Sequence, residues 1–259
     1  MTVAPAIRAL GLLSGQSPAD SGAPAGILAL PRPNRIGDRF RRTTRECLLA
    51  LAAVDAMLED GMVGREAIAG DRTALQYVTA AAYGASNREF IERRGGVMHF
   101  AYTAPAVVSA EVAIEFGITG PYGILIGGAP ATLRAIEQSA RLLETGRCDR
   151  ALVLVVEIFE ECADLYARHR RFDRRPLVET AACLWLERGE GDLRFESSRG
   201  ARADSARNGE RFAAGPLADL RDWLDRAPAG PLELSGCWRG EHARLRWSTK
   251  QSHARGSAA

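Results

Sequence analysis

The sequence predicts an α/β fold in which a mostly parallel sheet lies between helices. Apolar segments of strand length alternate along the chain with longer segments of helical periodicity, which is the pattern of layered α/β proteins. Residues 151–156 (ALVLVV) are apolar throughout, as expected of a strand that is buried on both faces. The chain has 259 residues, of which 46% are apolar, so it can enclose a core of this kind.

The N-terminal part predicts a strand, a long helix and a second strand. Residues 3–13 are short and apolar, and the following residues 14–34 are rich in Gly, Pro, Ser and Ala, as loops are. Residues 43–60 carry apolar side chains at helical spacing. Residues 71–79 mix β-branched and aromatic side chains between polar ends, which is typical of a buried strand.

The middle of the chain predicts a strand and a helix joined by a tight turn. A short helix should begin at residues 86–89, where a Ser and a Glu have capping-box spacing. Residues 104–116 predict another helix that ends at a glycine, and residues 122–126 (YGILI) a strand. Residues 127–130 (GGAP), called the elbow below, separate this strand from the best amphipathic helix of the chain, residues 131–144.

The C-terminal part has weaker signals. They predict strands at residues 177–187 and 193–195, a polar linker at 199–211, a short helix at 217–224, and a hairpin of 232–235 with 243–247. We therefore expect a main domain of residues 1–198 and, over residues 199–259, a linker and a small extension with a flexible tail. The residues contain no visible internal repeat.

Charge and cysteine content exclude several classes of protein. The formal net charge is +2 with acidic and basic residues interleaved, whereas a nucleic-acid surface is basic on one side. No apolar run is long enough for a membrane span, and no signal-peptide pattern is present. The five cysteines are scattered without a CxxC pair, which indicates free thiols in a reducing cytoplasm. We expect no cofactor and no metal.

Three consecutive segments carry a family resemblance. Residues 105–121 form a helix that ends in a glycine and a Gly-Pro turn, and residues 124–136 a strand, the elbow and a helix. Residues 140–153 continue through a glycine turn into a buried strand that ends near Glu157. This order resembles the N-terminal half of β-ketoacyl synthases of the thiolase-like superfamily. It is most similar to short ketosynthase-like proteins that act as chain-length-factor partners, as in aryl-polyene type II fatty-acid-like pathways.

The chain departs from this family at the catalytic residues. A ketosynthase has a cysteine at the elbow, where the helix N-terminus lowers the thiol pKa and backbone N–H groups hold the oxyanion. Ala129 stands at the equivalent position, and a shift of one residue gives Gly128 or Pro130, none of which is a nucleophile. The two active-site histidines of the family also lack counterparts, since no histidine here has the family's neighbours (His99, His169, His242 and His253). The residues after Ser198 are too few for a second five-stranded half.

The resemblance therefore implies a non-catalytic subunit. It would pair as a heterodimer with a cysteine-bearing ketosynthase subunit and help to position an acyl chain delivered on acyl carrier protein. Residues 151–156 and 104–116 would face the partner. The acyl tunnel would be bordered by the elbow, whose N–H groups would stay exposed and could hold a carboxylate or thioester oxygen (Gly127, Gly128, Ala129 and Pro130). A cluster of arginines could dock the carrier, or be only an exposed loop (Arg168, Arg170, Arg171, Arg174 and Arg175).

Other interpretations of the same residues stay open. The elbow could be only a tight turn between strand and helix; it lacks the GxGxxG pattern of dinucleotide binding. Cys162 and His169 could suggest a metal or Cys–His site, but such spacings are common by chance, and a solvated helix of acidic and basic residues is the favoured interpretation. An acyltransferase or hydrolase would need another nucleophile, and Ser109, Ser139 or Cys162 would have to serve. A scaffolding protein without an acyl ligand is a third possibility.

Overall fold

Three β-sheets and four α-helices lie within the residues that the structure describes. The structure is a computed structural model, and it describes residues 2–18, 27–81, 87, 90–92, 104–158, 177–199, 210–227 and 230–249. The helices are α1 (Arg45–Asp60), α2 (Ala106–Phe116), α3 (Ala129–Glu144) and α4 (Gly215–Arg226). The strands are β1 (Thr2–Val3), β2 (Ala6–Ser14), β3 (Ser17–Pro18), β4 (Ile27–Ala29), β5 (Thr73–Thr79), β6 (Tyr122–Ile126), β7 (Arg150–Glu157), β8 (Leu177–Val178), β9 (Thr180–Glu187), β10 (Gly191–Arg199), β11 (Leu232–Trp238) and β12 (Glu241–Thr249).

The first sheet has five strands in the order β2-β9-β7-β5-β6. β5 is parallel to both of its neighbours, β6 and β7, whereas β9 is antiparallel to β7 and β2. All strands except β9 therefore point the same way, which confirms the predicted α/β fold with a mostly parallel sheet. β7 lies in the middle of this sheet, and residues 151–157 are buried because its apolar side chains pack on both faces.

Helices cover both faces of the first sheet. α1 begins after Thr44, whose side-chain oxygen accepts a hydrogen bond from the Cys47 N–H at 3.3 Å. α1 and α2 pack together on one face, and α3 covers the other. The apolar stripe predicted for α3 is buried in the core (Leu133, Ile136, Ala140 and Leu143). None of the described helices is both long and apolar enough to cross a membrane.

The C-terminal residues form a second sheet against the far side of α3. Its four strands have the order β1-β10-β12-β11, and every neighbouring pair is antiparallel. The predicted hairpin is present and longer than expected, with φ values of 48° at Arg239 and 81° at Gly240 in its turn, as two-residue hairpin turns require. The buried Trp247 donates from Nε1 to the Pro5 carbonyl at 3.1 Å, which ties the last described strand to the start of the chain.

The second sheet repeats part of the strand order of the first. In the first sheet the last strand, β9, lies between the first and the last-but-one strands, β2 and β7. In the second sheet the last strand, β12, likewise lies between β10 and the last-but-one strand, β11, with the short β1 added at the outer edge of β10. The amino-acid sequence shows no repeat, because what is repeated is the order of the strands in the sheet. The described residues supply no counterparts of β5 and β6 in the second sheet, in keeping with the short C-terminal sequence. The expected boundary at 198/199 falls at the last residue of β10, Arg199.

A buried ion pair holds the segment that was expected to be a loop. In the described part of residues 14–34, β3 pairs with β4, and β4 pairs in parallel with β8. Glu179 is fully buried, accepts a hydrogen bond from the Leu30 N–H at 2.7 Å, and forms an ion pair with Arg45. This carboxylate therefore links the small sheet to the first turn of α1.

Candidate functional site

The elbow joins the end of β6 to the start of α3. The Gly127 N–H donates to the Thr79 carbonyl at 2.9 Å, so the chain stays attached to β5 as it leaves the sheet. α3 begins at Ala129, and Pro130 occupies the first turn, where a missing N–H costs nothing. The elbow thus has the strand–turn–helix geometry that a nucleophile elbow needs.

The C-terminal half closes the elbow at Ala129. This residue is fully buried, and its N–H donates to the Arg211 carbonyl at 2.9 Å. Gly236 of β11 approaches so closely that a Cβ built on it would lie 2.3 Å from the Ala129 Cβ. Gly236 therefore has no room for a side chain, and the Ala129 methyl group is enclosed where the two residues meet. The expectation of exposed N–H groups is wrong at Ala129, because that N–H already has a backbone acceptor.

Gly128 is enclosed by an aromatic ring of the second sheet. A Cβ at this position would lie 2.4 Å from two ring atoms of Trp238 and 2.5 Å from the Arg211 carbonyl oxygen. The Trp238 ring packs on Phe212 with centroids 5.3 Å apart. Glycine is needed here because only a residue without a side chain permits this approach.

Residues 211–214, which precede α4, connect the C-terminal part of the chain to the elbow by hydrogen bonds. In addition to the Arg211 contact, the Thr132 hydroxyl donates to the Ala213 carbonyl at 2.6 Å. Glu157, at the end of β7, accepts hydrogen bonds from the N–H groups of Ala213 at 2.7 Å and Ala214 at 3.1 Å. Burial raises the pKa of Glu157 to about 7, although the two N–H donors act in the opposite direction. This carboxyl group is the residue near which the buried strand was expected to end.

An open cleft of about 630 Å³ lies beside the closed elbow. Its lining includes the apolar side chains of Leu125 and Ile126 of β6 and the elbow glycines Gly127 and Gly128. It also includes charged residues of α3 and of the second sheet (Arg134, Arg199, Arg239 and Glu241). The cleft beside the elbow thus has both apolar and charged lining residues.

The alternative nucleophiles do not meet at this site. Ser109 lies buried on α2 and donates its hydroxyl to the Ala106 carbonyl at 3.0 Å. Ser139 is fully buried on α3, and its hydroxyl has no hydrogen-bond partner among the described residues. The other residues proposed from the sequence for catalysis, metal binding or carrier docking lie outside the described residues (Cys162, His169, Arg168, Arg170, Arg171, Arg174 and Arg175). His99 and His253 lie outside them as well.

One Cys–His pair was not anticipated. Cys237 and His242 are directly opposite each other on β11 and β12, with Sγ and Nε2 3.6 Å apart. The signal was present in the sequence, since a hairpin turning at residues 239–240 pairs these two positions. Burial raises the pKa of the Cys237 thiol, which disfavours the nucleophilic thiolate.

The edge strands of the first sheet are β2 and β6, and β7 is not at an edge. Residues 151–156 were expected to face a partner, but β7 lies between β5 and β9, and its side chains are covered by this chain's own core. That expectation is wrong, because a continuous apolar strand indicates burial without indicating what buries it. β6 pairs only with β5 in the described sheet, and it leaves Tyr122 and Ile126 exposed at 71% and 60%.

The fold and the elbow define the class of protein. Two sheets with a helix layer between them, and an elbow leading from a strand into the central helix, are the thiolase-like arrangement that the resemblance implies. Residues 31–171 match the family "Beta-ketoacyl synthase, N-terminal domain". Because this match spans more than half of the 259 residues, the chain belongs to this family.

Solved structures share the fold over nearly the whole chain. A chain of the AntDE:AntF complex, a type II PKS acyl-carrier protein with its ketosynthase bound to the hexaketide, has a TM-score of 0.70 at 12% identity and covers 96% of this chain and 100% of its own. A β-ketoacyl synthase from Burkholderia phymatum STM815 has a TM-score of 0.65 at 13% identity, with 96% and 100% covered. A chain of the ketosynthase ApeO in complex with its chain length factor ApeC, from Xenorhabdus doucetiae, has a TM-score of 0.62 at 14% identity, with 94% and 99% covered.

At these identities the structural similarity establishes the fold and no more. The shares covered are large enough to include strands of the second sheet. A comparison with curated protein sequences found no match.

Proposed function

We propose that the chain is a non-catalytic, chain-length-factor-like partner of a cysteine-bearing β-ketoacyl synthase, in a type II fatty acid or polyketide pathway of the aryl-polyene kind. The observation that carries the proposal is the closed elbow. Ala129 stands where the family has its cysteine, its N–H is bound by the Arg211 carbonyl, and Gly236 fills the space in front of it. Acyl transfer needs both a nucleophile and a free oxyanion donor, and this position offers neither.

The β6 edge of the first sheet is the surface that we propose for the partner. An edge strand presents unpaired N–H and C=O groups that can pair with a strand of another chain. β6 combines this edge with exposed apolar side chains, Tyr122 and Ile126, and Ile114 of α2 is also 68% exposed. A group of exposed, large apolar side chains is typical of a surface that binds another protein. The expected contribution of residues 104–116 to the interface thus remains part of the proposal.

The decisive experiment is co-expression with a cysteine-bearing ketosynthase encoded beside the chain, followed by affinity purification and native mass measurement. We expect a one-to-one complex that elongates acyl carriers only when both chains are present. Ile126→Asp should abolish co-purification, because it places an unpaired charge in the interface. Met62→Asp is the matched control, since Met62 is 92% exposed in the turn after α1 and away from β6. A stable, soluble chain that does not bind the ketosynthase would overturn the proposal.

Carrier binding belongs to the same proposal. The basic cluster that begins at Arg168 would contact the acidic carrier, and the assembly would act in the cytoplasm. Reversing the charge of Arg170 and Arg171 should weaken crosslinking of the carrier to the complex without dissociating the two subunits. If the chain associates with the ketosynthase but the complex binds no carrier, and these changes have no effect, a scaffolding role would be favoured.

A second candidate function rests on the Cys237–His242 pair. A thiol 3.6 Å from an imidazole could accept an acyl group with the histidine as base, which would make the chain an acyltransferase of its own. The raised pKa of the thiol argues against it. Thioester turnover by the isolated chain that disappears in Cys237→Ala would establish this alternative, and an acyl-free chain after exposure to thioesters would exclude it.

A further inference from the structure

The cleft beside the elbow has an excess of positive charge. Three arginines from different elements border it: Arg134 from α3, Arg199 from the end of β10, and Arg239 from the β11–β12 turn. The single carboxylate in its lining is Glu241. The formal net charge of the chain is only +2, so this local excess of positive charge is not a property of the chain as a whole.

Two of these guanidinium groups lack an acidic partner. Arg134 forms an ion pair with Glu241 at 2.7 Å and lies over the Phe195 ring at 5.6 Å. Arg239 stacks on Trp238 at 6.0 Å and forms no ion pair with a described carboxylate. Arg199 also has no ion pair within the described part of the chain. Unpaired arginines that converge on a concave surface are the arrangement with which proteins bind phosphate and carboxylate groups.

The rest of the cleft indicates what carries the anion. Its volume of about 630 Å³ suits a small organic molecule. Leu125 and Ile126 of β6 add apolar side chains to the lining that contains the arginines. α3, which begins at the cleft, has no acidic residue in its first turn, so the positive end of the helix adds to the arginine field.

We propose that this cleft binds a small organic anion, a phosphate monoester or a carboxylate on a short apolar chain. The anionic group would be held by Arg199 and Arg239, and the apolar chain would lie along β6. The proposal does not depend on the partner function. It places a charged ligand near the elbow, where a neutral acyl chain was expected, because exposed guanidinium groups can form charge-assisted hydrogen bonds with an anion and not with a hydrocarbon chain.

Titration calorimetry on the isolated full-length chain tests this with three probes that share one apolar chain: n-butyl phosphate, butyrate and n-butanol. We expect one or both anions to bind and butanol not to bind, and the stronger anion identifies the anionic group. Binding should weaken as the salt concentration is raised about tenfold, since the contact is ionic and partly exposed. Binding of butanol as strong as that of butyl phosphate would overturn the proposal, as would no binding of either anion.

Variants locate the site. Arg199→Gln and Arg239→Gln together should lower the anion affinity at least about tenfold, the loss expected for charge-assisted hydrogen bonds. Arg194→Gln is the matched control: it lies on β10 as well, is exposed, and does not border the cleft. Unchanged affinity of the double variant, with its unfolding midpoint equal to that of the parent, would place any binding elsewhere. Because no ketosynthase is present in this experiment, its failure and a failed co-purification are separate results.

Discussion

The methyl group of Ala129 occupies the space that the missing side chain of Gly236 leaves. A Cβ on Gly236 would lie 2.3 Å from the Ala129 Cβ, far inside the contact distance of two carbon atoms. Ala129 begins α3 and Gly236 lies on β11 of the second sheet. The small side chain at position 129 and the closure of the elbow by the second sheet are therefore one packing arrangement.

A cysteine at position 129 should not act as a nucleophile. Ala129 is fully buried beside Gly236, so Ala129→Cys adds a sulfur atom to a packed site, and we expect a loss of about 1–3 kcal/mol in the free energy of unfolding from overpacking. We also expect no acylation by thioester substrates, because the adjoining N–H stays bound to the Arg211 carbonyl. Urea denaturation and mass measurement after incubation with an acyl thioester check the two statements.

The matched control for this variant is Ala131→Cys, two residues further along α3. Ala131 is partly buried and borders the open cleft, so a sulfur atom there has room and should change the stability by less than about 1 kcal/mol. Rapid alkylation of the thiol introduced at position 129, with parental stability, would show that the elbow opens and that its closure is not a fixed feature.

The contact between Gly128 and Trp238 should behave in the same way. Gly128→Ala places a methyl group 2.4 Å from the indole ring, and we expect a destabilisation of about 1–3 kcal/mol. Because the cost comes from one overlap, combining it with Trp238→Leu should give a smaller loss than the sum of the two single variants. Gly61→Ala is the control, since a Cβ there meets nothing closer than 3.3 Å. Strict additivity in denaturant unfolding would contradict this account.

The sequence predicts the first half of this fold better than the second, for a physical reason. The apolar stripe of α3 has helical spacing, and β7 is a continuous apolar run. Each pattern indicates a buried element from neighbouring residues alone. The contact of Ala129 with Gly236 joins distant positions through two small residues that carry no pattern. The partner surface was assigned to residues 151–156 for a related reason: apolarity reveals that a strand is covered, and only the sheet order reveals that β6 is an edge strand.

The buried ion pair of Arg45 and Glu179 should be costly to break on one side. Glu179 is buried, so Arg45→Met removes the guanidinium group that compensates a buried carboxylate. We expect a loss of about 3–5 kcal/mol, and a smaller loss when Arg45→Met is combined with Glu179→Leu. Arg226→Met removes the exposed pair with Asp222 and should cost less than about 1 kcal/mol. Thermal unfolding measured under identical conditions compares the three.

Glu157 should make the stability of the chain depend on pH. Its pKa rises from 4.5 to about 7 on folding because the carboxyl group is buried between the two halves. The folded state then binds more protons than the unfolded state between these two values, and stability falls as the pH rises through this window. The contribution is fully present below pH 4.5 and lost above about pH 7, and a shift of this size corresponds to about 3 kcal/mol.

Replacing this carboxyl group separates its titration from its hydrogen bonds. Glu157→Gln cannot titrate, so its unfolding free energy should vary less with pH between 4.5 and 7 than that of the parent. The variant should also be less stable at low pH by about 1–3 kcal/mol, because the amide NH₂ group cannot accept from one of the Ala213 and Ala214 N–H groups. Glu190→Gln, at an exposed turn, should follow the parental pH profile. Parallel profiles for parent and Glu157→Gln would mean that Glu157 is ionised throughout this range and that its two N–H donors outweigh its burial.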